Sequence, residues 1–189
     1  RMIREETKAA KSGKVARILI KVNSLVDPQC INELYLASQA GVKIDLIVRG
    51  ICGLIPGVKG MSENVRVISL LGRFLEHSRV FHFHNAPPGK RTFLGSPDWM
   101  PRNFFRRIEV AFPIEDFNEE AKIMESMDSF IQDNEFSTHL RSKGQYVQPP
   151  KRRRPFSAQE HFIALSREET ERKRKAELGS SAGKTENQG

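Results

Sequence analysis

Cysteine and long apolar runs are both scarce in this sequence of 189 residues. Its two cysteines, Cys30 and Cys52, exclude a disulfide-rich scaffold and lack the spacing of a zinc site. No apolar run approaches the roughly 20 residues that cross a bilayer, and the charged opening residues do not resemble a signal peptide. We therefore expect a reducing, cytoplasmic setting, with attachment to the periphery of a membrane as the alternative.

Acidic residues are in the minority, and the excess of basic residues is unevenly distributed. The net charge is +8 at pH 7, and residues 141–189 contribute +6 of it. This segment is polar, so a solvated basic tail explains the high isoelectric point without a polyanionic partner. We therefore expect no nucleic-acid partner, and any anion site in residues 1–140 must arise from local clustering.

The first part of the sequence predicts a strand, a capped helix and a second strand. Residues 17–23 form a short apolar run typical of a buried strand. Asp27 and Pro28 then match a helix N-cap followed by proline at the first helical position, and Gly41 supplies a left-handed stop. Residues 43–49 form the second apolar run. This βαβ unit implies two parallel strands joined by a right-handed crossover.

The remaining sequence predicts further strands and at least one amphipathic helix. After a glycine-rich loop, strands are predicted at 65–70, 79–83, 92–95 and 108–112. A helix that packs on the sheet is predicted from apolar residues at helical spacing, namely Phe117, Ala121, Met124, Met127 and Ile131. A short helix is also predicted within 157–175, followed by a segment of disordered composition. The predicted fold class is α/β, a mixed sheet flanked by helices with a polar C-terminal tail.

Polar side chains end the first two predicted strands. Lys21 and Asn23 end the first, and Arg49 ends the second. In open α/β sheets, ligands bind beyond the carboxyl ends of the parallel strands. Glycines in the following loop would let backbone N–H groups approach an anion, although the loop does not match the Walker nucleotide motif. These residues predict an anion site at this edge.

A second candidate site contains His77 and Arg79, two residues apart at the start of a predicted strand and therefore on one face. A histidine beside a guanidinium suits phosphate, because arginine neutralises phosphate oxygens while neutral imidazole carries a proton or acts as a nucleophile. A surface histidine with an incidental neighbour is the alternative. His82 and His84 form a His-x-His pair without a third ligand at a readable spacing, so no metal site is predicted.

The segment GSPDWMPRNFFRRIEV is the other unusual stretch. Asp98 is suited to capping a turn, and Arg102, Arg106 and Arg107 crowd the far end. The single tryptophan, Trp99, is expected to pack rather than to bind a ligand.

Four segments, taken in order, closely resemble a known family. They are KVNSLVDP, ASQAGVKIDLIVRGICGLIPGVKGMSENVRV, GRFLEHSRVFHF and GSPDWMPRN. Together they resemble the C-terminal catalytic domain of the bacterial-type polyphosphate kinases. The resemblance implies a phospholipase D-like fold and the ATP-dependent, reversible growth of linear polyphosphate. On this basis we expect the catalytic domain in residues 1–140, a C-terminal family extension in 141–175 and a disordered tail in 176–189.

Two positions match the site motifs of that family. Arg49, in IVRG, resembles the arginine that contacts the nucleotide phosphates, and His77, in LEHSR, resembles the second active-site histidine. Lys21, Asn23 and Arg79 are further candidates, for lining a polyphosphate channel. The resemblance therefore implies ATP, ADP and inorganic polyphosphate as binding partners.

The resemblance also implies that the chain is one part of a larger, homo-oligomeric enzyme. The phosphorylated histidine of the family stands in a Thr-His-x-Lys context, which this sequence lacks. That histidine and the residues that hold Mg²⁺ are expected in an upstream domain of the same enzyme. We therefore expect the chain to be inactive on its own.

Departures from the family pattern leave two other function classes open. Residues 52–56 read Cys-Gly-Leu-Ile-Pro where the family commonly has Cys-Cys-Leu-Arg-Pro, which removes one cation from the loop. Phe105 and Pro97 also replace an acidic residue and an alanine. One alternative is a phosphodiesterase or nuclease of the phospholipase D type, although its His-x-Lys motif reads His77-Ser78-Arg79 here. The other is a non-catalytic module that binds polyanions.

Overall fold

One sheet organises the chain in the computed structural model, which describes residues 1–150 and 154–185. Helices and strands alternate over residues 1–48, three further strands follow without a helix between them, and the strands after residue 91 are short. The elements, in order, are α1 (Met2–Lys11), β1 (Arg17–Val22), α2 (Pro28–Gln39), β2 (Lys43–Val48), β3 (Val65–Leu70), β4 (Arg79–Phe83), β5 (Thr92–Gly95), α3 (Pro101–Phe105), β6 (Ala111–Pro113), α4 (Phe117–Gln132), β7 (Ser137–Leu140), β8 (Tyr146–Val147) and α5 (Ala158–Thr185).

The sheet is mixed, with parallel strands at its centre and antiparallel strands on both sides. Its order is β6-β5-β4-β1-β2-β3-β7-β8. Strands β1, β2 and β3 are parallel, while β4 pairs antiparallel with β1 and β7 pairs antiparallel with β3. The predicted α/β class is confirmed. Because β4 runs against β1, its first residues lie at the edge where β1 and β2 end.

The predicted βαβ unit is confirmed, and its local signals have visible causes. The Asp27 side chain accepts a hydrogen bond from the Cys30 N–H at 2.8 Å, which caps the start of α2. Pro28 occupies the first turn of that helix. Gly41 has a φ of 95°, a left-handed conformation that turns the chain into β2.

Apolar layers cover both faces of the sheet. Ile18, Ile20 and Val22 of β1 pack with residues of α1 and α2 in one layer. Leu19 of the same strand packs on the other face with Met127 of α4. Because successive side chains of a strand point to opposite faces, β1 is buried on both sides, as its continuous apolar run predicts.

Helix α4 forms where it was predicted, but it packs along a shorter face. Met127 and Phe130 are buried, and Met124 and Ile131 pack against them. Phe117 and Ala121, which are predicted on this face, are exposed. Both lie near the start of α4, outside the apolar layer, so helical spacing alone overestimates the length of the buried stripe.

The last predicted strand was displaced from its observed position. Residues 108–112 were predicted, whereas β6 covers Ala111–Pro113. Ile108 is 99% exposed and makes no strand pair. Strand β6 lies at the edge of the sheet and pairs only with β5, where a proline is tolerated because its missing N–H is not needed for a second ladder.

The elements β7, β8 and α3 were not predicted, because β7 (Ser-Thr-His-Leu) has no apolar run and β8 and α3 are too short to show a strand or helix period. Helix α5 extends to Thr185, past the predicted end at residue 175. The predicted disordered tail therefore begins within a helix, and residues 186–189 lie outside the described residues. No helix in the described part of the chain is long and apolar enough to cross a membrane. The predicted division at residue 140 stays a prediction.

Buried polar side chains join β4, β5 and α4. The Thr92 hydroxyl donates its one proton to Glu120 at 2.7 Å. It must therefore be the acceptor in its second hydrogen bond, which His82 Nδ1 donates at 2.8 Å. Burial, opposed by the charge of Glu120, lowers the pKa of His82 to about 4. His82 is therefore neutral in the fold at neutral pH and is occupied by structural contacts.

We predict that His82 makes the fold sensitive to acid. Between pH 6.5 and about 4, His82 is protonated in the unfolded chain but neutral in the folded chain. The free energy of unfolding therefore falls as the pH drops through this range. The loss should be on the order of 2 kcal/mol. Urea unfolding at pH 7.0 and 4.5 should show a smaller acid loss for His82→Gln than for the wild type. The exposed His84 supplies the control, His84→Gln, which should keep the wild-type loss.

Candidate functional site

A polar cavity of about 490 Å³ lies at the edge where β1 and β2 end and β4 begins. Lys21 of β1 pairs with Val80 of β4, so the residues before Val80 extend beyond the carboxyl end of β1. The loop after β5 and helix α3 close the other side. The lining residues are Asn23, Ser24, Arg49, His77, Arg79, Ser96, Asp98, Arg102, Asn103, Arg107 and Glu109.

The floor of the cavity is organised by the buried carboxylate of Asp98. Its Oδ1 accepts hydrogen bonds from the Asn23 backbone N–H at 2.8 Å and from Asn23 Nδ2 at 3.0 Å. Arg79 Nε lies 3.2 Å from the same oxygen. Asn23 Oδ1 in turn accepts from Arg49 Nε at 2.5 Å. A single carboxylate therefore orients one arginine directly and a second one through Asn23.

His77 is held by Arg79 in a defined tautomer. Arg79 Nη1 lies 2.8 Å from His77 Nδ1 and also donates to the His77 backbone carbonyl at 2.9 Å. Because a guanidinium can only donate, Nδ1 must be the acceptor, and the ring proton of neutral His77 resides on Nε2. The positive charge of Arg79, assisted by weak desolvation and by Arg49, lowers the pKa of His77. The ring is therefore neutral at pH 7 and presents an N–H donor.

Lys21 does not line the cavity, unlike its predicted neighbours Asn23 and Arg49. Its ammonium donates to the carbonyl oxygens of Glu76 at 2.7 Å and Ser78 at 3.2 Å, and lies 4.9 Å from the centre of the Phe130 ring. Burial lowers the pKa of Lys21 to about 8, although Glu76 opposes the shift. The Lys21 side chain is therefore bonded to the backbone on either side of His77 and is not directed into the cavity.

The wall opposite Arg49 contains residues that the sequence predictions did not assign to a site. Glu109 accepts hydrogen bonds from Ser96 and, at 2.5 Å, from Asn103 Nδ2, and Arg107 Nε lies 3.4 Å from it. The hydrogen bond from Ser96 lowers the pKa of Glu109. Arg102 lines the cavity nearby. The arginine-rich run 102–107 was the only sequence signal for this wall, and it did not distinguish Arg107 from Arg106.

The charges of the cavity favour an anion. Four arginines and His77 line it, against the two carboxylates of Asp98 and Glu109. Both carboxylates are already occupied by hydrogen bonds and ion pairs, so these residues do not fit a magnesium ion. No group of three His, Cys, Asp or Glu residues in the described part of the chain is placed to hold a metal. Phosphate oxygens match the forked donors of the arginines.

Most of the chain matches a known protein family. The family described as "Polyphosphate kinase C-terminal domain 2" matches residues 1–159. This chain belongs to that family. The identity predicted from the four resembling segments is thereby confirmed.

Named relatives agree with this assignment. The polyphosphate kinase of Paraburkholderia phytofirmans is 52% identical over 155 residues, which are 81% of this chain and 22% of that protein. The polyphosphate kinase of Synechocystis is 48% identical over 159 residues, 84% of this chain and 21% of that protein. The chain thus spans about a fifth of the length of the curated relatives it matches.

Solved structures support the fold. The crystal structure of polyphosphate kinase from Porphyromonas gingivalis matches with a TM-score of 0.83 and 38% identity, over 90% of this chain and 26% of that one. NucT from Helicobacter pylori matches with a TM-score of 0.51 and 15% identity, over 69% of this chain and 87% of that one, and shares the fold alone. The expected α/β fold class, a mixed sheet flanked by helices, is thereby confirmed.

Removing the charge of Arg79 should change the titration of His77. We predict that Arg79→Met raises the pKa of His77, because the largest influence that lowers it is lost while Asp98 remains to raise it. The measurement is a pH titration of the His77 imidazole by NMR, assigned with His77→Gln. An unchanged or lower pKa in Arg79→Met would contradict the observed geometry. Arg106→Met serves as the control, because Arg106 does not line the cavity.

The two adjacent arginines Arg106 and Arg107 should differ in anion binding. Only Arg107 lines the cavity, so Arg107→Ala should weaken tripolyphosphate binding by roughly tenfold, the value of one charge-assisted hydrogen bond. Arg106→Ala removes the same formal charge and should change affinity less than twofold. Calorimetric titrations of the chain at moderate salt provide the comparison. Equal losses would mean that bulk charge, rather than the cavity, binds the anion.

Proposed function

We propose that this chain supplies the nucleotide- and phosphate-binding side of a polyphosphate kinase active site. The complete enzyme would transfer the terminal phosphate of ATP reversibly to inorganic polyphosphate in the cytoplasm. The observation that carries the proposal is the convergence of Arg49, Arg79 and neutral His77 on one cationic cavity in a chain of this family. Phosphoryl transfer depends mainly on positioning and on neutralising charge, which such a cavity is built to do.

Arg49 is the proposed ligand of the ATP phosphates. Its Nε is held by Asn23 and its Nη1 by the carbonyl oxygen of Leu75, which fixes the plane of the guanidinium. The Nη2 group has no partner among the described residues and remains available to a phosphate oxygen. An arginine oriented before the ligand arrives stabilises developing charge without a cost of reorganisation.

His77 is the proposed catalytic residue on this side of the site. With Nδ1 accepting from Arg79, its Nε2–H is directed to act as a donor to the phosphoryl group that is transferred. A neutral donor stabilises the transition state through a hydrogen bond and can exchange a proton with a phosphate oxygen. This assignment favours stabilisation of the phosphoryl group over attack by His77 itself.

The proposed channel for polyphosphate differs from the sequence prediction by the loss of one residue and the addition of two. Asn23 and Arg79 border the cavity and remain candidates, and Arg102 and Arg107 join them on the opposite wall. Lys21 is buried behind the cavity and is removed from the proposed lining. Successive phosphates of a chain would thus meet arginines on two walls.

Residues outside this chain are needed to complete the proposed reaction. The chain lacks the Thr-His-x-Lys context of the family's phosphorylated histidine, and the carboxylates of the cavity are occupied. We therefore assign the phosphorylated histidine and the Mg²⁺ ligands to an upstream domain of the same enzyme. Assembly of that enzyme into homo-oligomers stays a prediction.

In the full-length enzyme, Arg49→Ala and His77→Ala should each lower the rate of polyphosphate synthesis from ATP by on the order of 10²–10³. The double variant should be little slower than either single one, because two groups that serve one phosphoryl centre act as a unit. Incorporation of labelled phosphate from ATP into acid-insoluble polymer provides the rate. The matched controls, Arg106→Ala and His84→Gln, should retain it.

The same assay separates the proposal from its alternatives. The isolated chain should make no polymer, and neither the chain nor the enzyme should hydrolyse a phosphodiester such as bis(p-nitrophenyl) phosphate. Diester hydrolysis that depends on His77 would replace the proposal with a phosphodiesterase. Additive losses in the double variant would show that Arg49 and His77 do not serve a common phosphoryl centre.

A further inference from the structure

The segment that carries His77 has little apolar burial to hold it. It links β3 to β4 over residues 71–78, and the large side chains of Leu71, Phe74 and Leu75 are exposed. Outside the strands, its only hydrogen bond between two backbone groups in the described structure runs from Leu71 N–H to Phe136 O at 3.3 Å. Loops of this kind are ordinarily among the least stable parts of a domain.

Side chains from other elements compensate by binding its backbone. Five consecutive carbonyl oxygens, those of residues 74–78, each accept a hydrogen bond from a side chain. Phe74 O accepts from Gln159 at 3.0 Å, and Leu75 O accepts from Arg49 at 2.6 Å. The carbonyls of residues 76 and 78 accept from Lys21, at 2.7 and 3.2 Å, and that of residue 77 accepts from Arg79 at 2.9 Å.

The four donors fall into two groups. Arg49 and Arg79 line the cavity and are exposed to any anion that enters it. Lys21 and Gln159 are 2% and 3% exposed and lie behind the segment. The second pair can therefore hold the backbone of residues 74–78 while the two arginines also engage a ligand.

Lys21 donates hydrogen bonds to the backbone on both sides of His77. Besides the two carbonyls, its ammonium donates to Ser78 Oγ at 2.9 Å, and the Glu76 carboxylate lies 3.8 Å away. All three N–H donors of the ammonium thus have acceptors that flank His77. A buried lysine is retained only where such partners offset its desolvation.

Gln159, in the first turn of α5, binds the other end of the segment. Its Oε1 accepts from Phe74 N–H at 3.1 Å, and its Nε2 also donates to Glu76 Oε1 at 3.0 Å. Gly72 makes this approach possible, because a Cβ at that position would lie 2.5 Å from Gln159 Oε1. The primary amide is thereby bonded to both ends of the turn before His77.

Both side chains converge on a strained residue. Glu76 has a φ of 51°, the one positive φ of a non-glycine residue among those described. Such a conformation persists only where surrounding contacts impose it, and it is frequent at functional sites. Here Lys21 binds the carbonyl of Glu76 and Gln159 binds its side chain. The strained turn directly precedes His77 and sets the direction of its side chain.

We propose that Lys21 and Gln159 are positioning residues, which hold the strained turn at Glu76 so that His77 meets Arg79 and the phosphoryl group. The inference rests on the proposed function for the identity of the reaction, but its structural part does not require that function. Neither side chain touches the cavity, so both act through the backbone of residues 74–78.

The structural part is tested on the chain by NMR, with Gln159→Leu and Lys21→Met. Loss of either donor should free residues 74–78, seen as lower backbone order parameters, and should move the pKa of His77 toward 6.5 as its contact with Arg79 loosens. Gln145→Leu and Lys14→Met, at exposed positions, should leave both readouts unchanged. Wild-type order parameters and His77 pKa in both Gln159→Leu and Lys21→Met would overturn the proposal.

Gly72→Ala provides a second route that leaves every donor in place. The added methyl group should displace the Gln159 amide and reproduce the NMR changes of Gln159→Leu. The double variant should add nothing further, because both changes break the same contact. If the losses of backbone order in Gly72→Ala and Gln159→Leu add in the double variant, the proposed role of Gln159 is wrong.

In the full-length enzyme, Gln159→Leu and Gly72→Ala should lower kcat for polyphosphate synthesis by roughly 10- to 100-fold, as expected for a misplaced catalytic group. The KM for ATP should change less than threefold, because Arg49 and the cavity remain. A rise in KM at constant kcat would overturn the positioning role. If His77→Ala leaves synthesis intact, the proposed function fails, while the NMR result still decides whether Lys21 and Gln159 order the turn.

Discussion

The buried carboxylate of Asp98 is the contact on which the site depends. It binds the backbone and side chain of Asn23 at the end of β1 and the guanidinium of Arg79 at the start of β4. The next residue, Trp99, exchanges backbone hydrogen bonds with residues 24–27. Three separate chain segments are thereby joined at one edge of the sheet. A buried carboxylate without partners would destabilise the fold, so the contacts of Asp98 with Arg79 and Asn23 are needed for stability as well as for the geometry of the site.

The cationic side chains around this contact bind backbone carbonyls, and two of them also line the cavity. Arg49 and Arg79 bind backbone carbonyls of the His77 segment and also face the cavity, whereas Lys21 is wholly committed to the backbone. The arrangement creates a cationic cavity in a domain whose residues 1–140 are nearly neutral overall. Local clustering of these side chains accounts for the proposed anion site, as expected from the nearly neutral charge of residues 1–140, and the basic segment after residue 140 is not needed to explain it.

Sequence patterns predicted the central elements well and the peripheral ones poorly. Strands β1 to β5 and helices α2 and α4 were recognised because apolar runs, an Asp-Pro cap and glycine stops are local signals. The exposure of Phe117 and the shift of β6 were missed, since they depend on where the sheet ends. The wall formed by Arg107 and Glu109 was missed for a similar reason: α3 is too short to reveal which arginine faces the cavity.

The sequence by itself determined the family, the βαβ unit and the candidates Arg49 and His77, because these rest on residue identity and short-range order. Only the tertiary structure decided which candidates meet. The antiparallel pairing of β4 with β1 brings His77 and Arg79 to the edge that holds Arg49 and Asn23. The structure also places the Lys21 ammonium against the carbonyls beside His77, outside the cavity lining, and the packing of α5 against α4 brings Gln159 across 83 positions of sequence to Glu76. Contacts between residues so far apart arise from strand direction and packing, which no local pattern encodes.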